Sequence, residues 1–333
     1  MNIVILGAGQ TGRGFLARLL AHQAHITFID KDASLIEKLR AAGSYTVGFF
    51  DGSESIRISG YQALHTDDAV CRDAIAAADV ILVSVRGENG PAAGEWLSVM
   101  GAAGKPVIAC ENATVPAKLL GGAWAAQAAS AAIFCTTVEN GPLDILSESY
   151  PALHVCEKGR VLESLQGFII EPDFDALMHR KIYTYNAASG IIAYIGWAMG
   201  YESYGEAAND PKINALLDGF YAEINAAICA EYPVTPEAQA TFAAFSKKKF
   251  QNRAIADTVA RNAASPLRKL GPEERLMAPI RLIRAHGGQA DALIHAAACA
   301  ARMAGIATEA ELAKTTGLSE NDPLLTQILQ IEC

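Results

Sequence analysis

The sequence predicts an α/β N-terminal domain with a mostly parallel sheet, followed by an all-α C-terminal domain. Three observations predict it. The chain opens on a near-continuous β-branched run, NIVIL at 2–6, of the kind a strand buried on both faces uses, and GAGQTGRGF follows at once. Strand-like and helix-like segments then alternate as far as Glu171-Pro172. From Asp173 onward no strand pattern appears, and helix-period segments separated by Pro, Gly and Asn take over. A chain of 333 residues exceeds one typical core, so two domains are expected, 1–171 and 172–333.

The first element carries the most chemistry. Gly7, Gly9 and Gly12 stand in the spacing G-x-G-x-x-G, with a strand before them and the helix-like FLARLLAHQA after. A second strand, HITFID, ends in Asp30, eighteen residues beyond Gly12. This is a Rossmann-type dinucleotide signature. Gly7 permits the tight turn, Gly9 lets the backbone approach a pyrophosphate, Gly12 lets helix and strand pack closely, and Gln10 and Thr11 sit in the turn itself. Asp30 is placed to accept from the adenosine ribose hydroxyls and to repel a 2′-phosphate, so NAD is expected in preference to NADP, with Lys31 as a cation that blunts the preference.

A helix is expected at 33–42, and then SYTVGFFDGSESIRISGY reads as a β-hairpin insertion closed by a two-residue Asp51-Gly52 turn. AADVILVSV ends at Val85 before Arg86, at the strand edge that faces a cofactor crevice. Arg86 there either touches the ligand or is a surface arginine. KPVIACEN at 105–112 delivers Glu111 and Asn112 to the same edge, and AAIFCTTVENGP at 131–142 repeats the pattern with Glu139 and Asn140. Either Glu-Asn pair serves a ligand or caps the following helix. HVCEKG and SLQGFII are short pieces that complete the sheet.

In the helical half, KIYTYNAASGIIAYIGWAMGY at 181–201 carries a lysine and no other charge until Glu202. On an ideal helix, at about 100° per residue, Asn186 lies roughly 140° from Lys181 and Ser189 roughly 80°. A lysine whose pKa is lowered in a dry site is a proton acceptor for an alcohol, and an amide can hold the oxygen as its charge changes. The same residues also read as a snorkelling lysine and a turn-closing asparagine. Arg268 and Lys269, adjacent in SPLRKL, are donors for an acidic or phosphate-sized ligand, or a solvated basic turn.

Composition excludes several other classes. The chain is 51% hydrophobic and 19% charged, with a formal net charge of −9 and no Lys/Arg block, which argues against nucleic acid or an anionic membrane as partner and favours a small molecule. Seven cysteines form no C-x-x-C pair, so neither a zinc knuckle nor a complete disulfide framework is expected, and a reducing, cytoplasmic setting fits. The histidines show no ligand spacing, and no metal is expected. No basic leader precedes Ile3, and the charge-free stretches 119–138 and 182–201 mix small and polar residues, so both read as buried soluble structure.

Taken together, GAGQTGRGF, TFID, IACEN, KIYTYNAASGIIAYIG and SPLRKLGPEERLMAPI resemble the polyol-specific long-chain dehydrogenases, the mannitol dehydrogenase family, over nearly the whole chain. The resemblance implies NAD(H)-linked interconversion of a secondary alcohol and a ketone on a polyol, polyol phosphate or sugar acid. It also implies a cytoplasmic monomer or weak homo-oligomer that needs no metal. The family's pattern K-x-x-x-x-N-x-x-H implies Lys181 as general base and Asn186 as the oxygen ligand, and Asn112 matches the asparagine beside nicotinamide and substrate. Two positions depart. Ser189 stands where the family has histidine, and VENGP at 138–142 stands where the family places Asp-Arg-Ile. One oxygen contact and one arginine anchor are thereby lost or moved, which raises an alternative, a catalytically weakened sensor of NAD(H) or a sugar phosphate.

Overall fold

In the computed structural model, which describes residues 1–332, the chain forms two compact units, 1–175 and 176–333 as divided by their internal packing. The first is an α/β unit of twelve strands: β1 Asn2–Leu6, β2 His25–Asp30, β3 Ser44–Phe49, β4 Ile56–Ser59, β5 Gln62–His65, β6 Val80–Val83, β7 Val107–Ala109, β8 Ala129–Ala132, β9 Thr137–Glu139, β10 Ile145–Ser147, β11 Leu153–Cys156 and β12 Phe168–Glu171. Eight of them make one sheet in the order β12-β11-β8-β7-β6-β1-β2-β5. The strands from β5 across to β8 are all parallel, while β11 joins β8 antiparallel. Chain order reverses at β1, which is where a doubly wound sheet opens a ligand crevice at its strand ends.

The alternation of β1 explains why its whole run is apolar. Ile3 and Ile5 enter one core with Phe28, Val80 and Leu82, whereas Val4 and Leu6 enter the other with Ile29, Ile81 and Val83. Each such side chain contributes about 1.5–3 kcal/mol by leaving water, so both faces of the central strand are pinned. Helix Ala33–Ala42 has the expected bounds. It starts on Asp32, whose carboxylate accepts from the Leu35 N–H at 3.0 Å, and ends on Gly43 at φ +63°.

Three expectations change. The insertion forms a hairpin, but β3 and β4 pair only from Val47↔Ile56 back to Ser44↔Ser59, so the connection is far longer than the two residues Asp51-Gly52. The free end of β3 instead pairs with β10. That pairing creates a second sheet, β4-β3-β10-β9, so Glu139 and Asn140 do not extend a strand of the main sheet. Their segment leaves the main sheet after Ala132 and lies on the β9–β10 hairpin. Finally, β6 and β7 stop at Val83 and Ala109, before the polar residues that follow them.

The second unit is helical, with only an isolated bridge between Ser203 and Thr258 among its described residues. Its centre is helix Ala187–Ala198, buried from Ala187 to Ile195 apart from Ser189. Helices Asp291–Met303 and Val259–Ala263 pack on it. Close approach is purchased by small residues: a Cβ on Gly196 would stand 2.9 Å from the Ala207 Cβ. The long helix Pro211–Glu231 starts on Asp210, which accepts from the N–H groups of Lys212 and Ile213. Among the described residues no helix is long and apolar enough to cross a membrane.

Candidate active site

In the α/β unit the glycine turn is shaped for a dinucleotide. Gly7 sits at φ +103°, and a Cβ there would collide with the Ser84 carbonyl oxygen at 2.0 Å. A Cβ on Gly12 would meet the Gly7 oxygen at 2.1 Å, so both are fixed by packing. Gly9 differs, because a Cβ there would meet nothing within 4 Å. The backbone at Gly9 therefore borders open space at the start of the helical segment Gly12–Leu20, where a pyrophosphate is favoured by the free N–H groups. Gln10 and Thr11 are half-buried beside it.

Asp30 ends β2 with its carboxylate turned to this turn, accepting from the Ala8 N–H at 2.6 Å and from the Asp32 N–H at 2.9 Å. Each carboxylate oxygen keeps a second lone pair, so ribose hydroxyls can still be received. Lys31 is tied to Asn89 Oδ1 at 2.8 Å, and Asn89 in turn donates to the Val85 carbonyl. The residues of the dinucleotide signature thus fit the group.

Glu111, the acidic member of the Glu111-Asn112 pair, organises the next strand end. Glu111 is buried at 9% exposure and accepts from the Val85 N–H at 2.7 Å, with the Arg86 N–H as a further donor. Burial pushes its carboxyl up to about 7 against those two hydrogen bonds. Arg86 is exposed and held at φ +66°, ψ 142°, a conformation rarely taken by a non-glycine residue. Asn112 follows Glu111 and is exposed.

Arg13 lies inside the glycine motif, where its spacing gives no sign of its burial. It is 2% exposed and donates from Nε to the Ala8 oxygen at 2.7 Å and from Nη1 to the Leu143 oxygen. Its Nη2 lies 3.7 Å from Glu139. The β9–β10 hairpin that carries Glu139 and Asn140, both exposed, is therefore anchored to the glycine turn.

In the helical unit, Lys181, Asn186 and Ser189 share one continuous helical run, Phe174–Ala198, with an irregularity that the ideal-helix reading missed. Residues Ile182–Asn186 form a π-helical turn. Such a turn bonds i to i+5, so two residues five apart are brought toward one another rather than the roughly 140° apart of an ideal α-helix. The turn is braced from helix Pro236–Phe250, where Gln239, fully buried, donates to Thr184 Oγ1 at 3.0 Å. Lys181 and Asn186 are 2% and 7% exposed, and Ser189 is half-buried.

Burial lowers the Lys181 ammonium to about 7, and the cations Arg275 and Lys249 push in the same direction. Lys269 behaves similarly: burial, then Arg275 and Arg268, bring it to about 7, while Glu274 opposes. Its ammonium lies 5.8 Å from the centre of the Tyr194 ring and donates to the Asn262 carbonyl. Arg268, its neighbour, is instead exposed and paired with Glu274 at 2.6 Å. Arg275 is the member that the sequence reading missed. It is 7% exposed, has Glu274 Oε2 at 3.8 Å as an ion-pair partner, and lies in PLRKLGPEERL, where its burial could not be read from spacing. Among the described residues no three His, Cys, Asp or Glu side chains cluster as a metal site would.

Comparison with known proteins agrees with both units. The sequence profile of the mannitol dehydrogenase C-terminal domain matches residues 173–332, and a TrkA-N domain profile matches residues 3–58. Mannitol-1-phosphate 5-dehydrogenase of Enterococcus faecalis is 29% identical over 84% of this chain and 81% of its own length. The protein of the same name from an Exiguobacterium species is 29% identical over 90% of this chain and 85% of its own. Among solved structures, Pseudomonas fluorescens mannitol 2-dehydrogenase, seen with NAD and D-mannitol, superposes with a TM-score of 0.76 at 15% identity, covering 99% of this chain and 90% of that one. A D-sorbitol dehydrogenase superposes at 0.70 and 14% identity, covering 100% of this chain and 90% of its own. At that identity the two structures speak for the fold alone. The helical unit is matched throughout by the mannitol dehydrogenase C-terminal domain, and with relatives aligned across both units the chain is similar over its length to the mannitol dehydrogenase family, oxidoreductases that act on CH–OH groups.

Proposed function

We propose that the protein is an NAD(H)-dependent dehydrogenase that interconverts a secondary alcohol and a ketone on a polyol, a polyol phosphate or a sugar acid. The observation that carries this reading is Lys181, a buried lysine brought to about 7 immediately before a π-helical turn that ends in Asn186. In the oxidative direction neutral Lys181 accepts the hydroxyl proton, and in the reductive direction its ammonium returns it. The Asn186 amide donates to the substrate oxygen as negative charge develops there. A nicotinamide dinucleotide held by the Gly7–Gly12 turn and Asp30 would supply the hydride chemistry when bound.

Within the helical unit, Lys181, Lys249, Lys269, Arg268 and Arg275 influence one another, with Glu274 as the carboxylate among them. With Lys181 and Lys269 only partly protonated near neutrality and Arg268 paired with Glu274, the buried Arg275 and the half-buried Lys249 still leave positive charge, which supports a polyol phosphate or a sugar acid over a neutral polyol. The relatives named mannitol-1-phosphate 5-dehydrogenase support the phosphate. NAD is preferred because Asp30 presents carboxylate charge at the ribose position while Lys31 is engaged by Asn89. The relatives are named as dehydrogenases and lend nothing to the sensor alternative.

The test is a spectrophotometric screen of mannitol, sorbitol, their phosphates and the corresponding sugar acids, with NAD and with NADP. Turnover of at least one anionic substrate is expected, abolished by Lys181→Met with NADH binding retained. An active Lys181→Met protein would sink the assignment.

A further inference from the structure

The loss of the family's histidine at position 189 leaves a question that the helical unit answers with a residue outside the motif. Among its described residues three buried polar atoms lack a hydrogen-bond partner: Tyr194 Oη, Tyr204 Oη and Arg275 Nε. An unsatisfied buried hydroxyl costs about 1–3 kcal/mol, so each calls for a use. Tyr204 is 5% exposed on helix Tyr204–Ala208, which packs on Ala187–Ala198, the helix that carries Ser189. Its hydroxyl is directed toward Ser189 without closing a hydrogen bond of normal geometry.

The surroundings fix the direction of the Tyr204 proton. Arg275 crosses the bare face of Gly190, with Cγ and Cδ each 3.8 Å from where a Cβ would stand, and its charge acts on the Tyr204 hydroxyl. A guanidinium carries only donors and can accept nothing from the phenol, so its nearby charge favours a tyrosine O–H turned to an acceptor elsewhere. Burial drives the Tyr204 phenol far above its ordinary range, which keeps it a donor at any working pH. The acceptor at hand is Ser189 Oγ. Ser189 is half-buried, whereas the Tyr204 hydroxyl is closed to solvent, so only the serine can meet a ligand directly.

We propose that Tyr204 is a positioning residue acting through Ser189: its hydroxyl donates to Ser189 Oγ, and the serine hydroxyl donates in turn to the substrate oxygen. A relay of two hydroxyls thereby stands where the family has an imidazole. Rotation of the serine about its Cα–Cβ bond closes the inner hydrogen bond, and the two bonds in series strengthen each other. The inference rests on the reading of Lys181 and Asn186 given above.

A double-mutant cycle on the substrate found in the screen tests it. Ser189→Ala is expected to lower kcat on the order of 30-fold, and Tyr204→Phe about 5-fold, with KM changed little and NADH affinity unchanged. Phenylalanine keeps the edge contact with Phe250, whose ring centre lies 5.9 Å away, so the variant folds. In the Ser189→Ala background the Tyr204→Phe change should have no further effect, because nothing is left to relay. Multiplication of the two losses, or an unchanged kcat in Tyr204→Phe alone, overturns the relay and leaves Lys181 as base untouched. Absence of turnover by the wild type across the screen overturns the functional reading, and the relay with it.

Discussion

Lys181→Met separates the two consequences of burying a base. The lysine falls from 10.5 in the unfolded chain to about 7 in the fold. Below pH 7 both states hold the proton, and the folded state carries the full cost of a buried ammonium, about 5 kcal/mol at 1.36 kcal/mol per unit. Between pH 7 and 10.5 the unfolded chain is protonated and the folded one is not, so this deficit shrinks as pH rises. It is about 2 kcal/mol at pH 9 and vanishes above pH 10.5. Methionine has a similar shape and no charge. The variant is therefore expected to be inactive but more stable than the wild type, with an advantage about 3 kcal/mol larger at pH 6 than at pH 9. Urea unfolding followed by the helical circular dichroism signal at the two pH values measures it. An advantage that is the same at pH 6 and pH 9 would refute the lowered pKa, and a destabilised variant at pH 6 would show that the ammonium is well compensated. The same ionisation predicts that kcat/KM for oxidation rises with pH through about 7 and then levels.

Three further changes probe the rest of the site. Glu111 is held up at about 7 against 4.5 in the unfolded chain, so the folded state keeps a proton that the unfolded chain has lost between those values. The wild type loses stability as pH rises from 4.5 to 7, and Glu111→Gln, which still accepts from Val85, should gain on it by about 3 kcal/mol at pH 8 and by little at pH 4.5, as chemical denaturation will report. Gln239→Leu removes the donor to Thr184 that braces the π-helical turn; a fall in kcat of about tenfold with NAD affinity unchanged is expected, and unchanged kinetics would show that the turn holds without it. Asp30→Ser removes the charge that opposes a 2′-phosphate, so the ratio of kcat/KM for NADP over NAD should rise about tenfold or more; a constant ratio would remove Asp30 from cofactor choice.

Much of this was legible in the chain because local patterns carried it. NIVIL followed by GAGQTGRGF states a buried strand and a dinucleotide turn with no need of distant contacts. Asp32 and Gly43 mark the ends of helix Ala33–Ala42. The 139–142 segment was misread because it leads into β10, whose partner β3 lies about a hundred residues earlier, and pairing at that distance leaves no local periodicity. Arg13 and Arg275 look like ordinary surface arginines in sequence; their burial depends on carbonyls and helices contributed from elsewhere in each unit.

By itself, then, the sequence pointed to the two-part architecture, to the glycine turn with Asp30, and to Lys181, Asn186 and Ser189 as candidates, since each follows from residues adjacent or regularly spaced along the chain. Tertiary structure alone decided that Lys181 is dry and its pKa lowered to about 7, because desolvation is set by every element packed around it. It also decided that a π-helical turn, braced by Gln239, separates Lys181 from Asn186 in place of regular α-helix. And it placed Tyr204 beside Ser189, fifteen residues away on another helix, where no spacing rule could have put it.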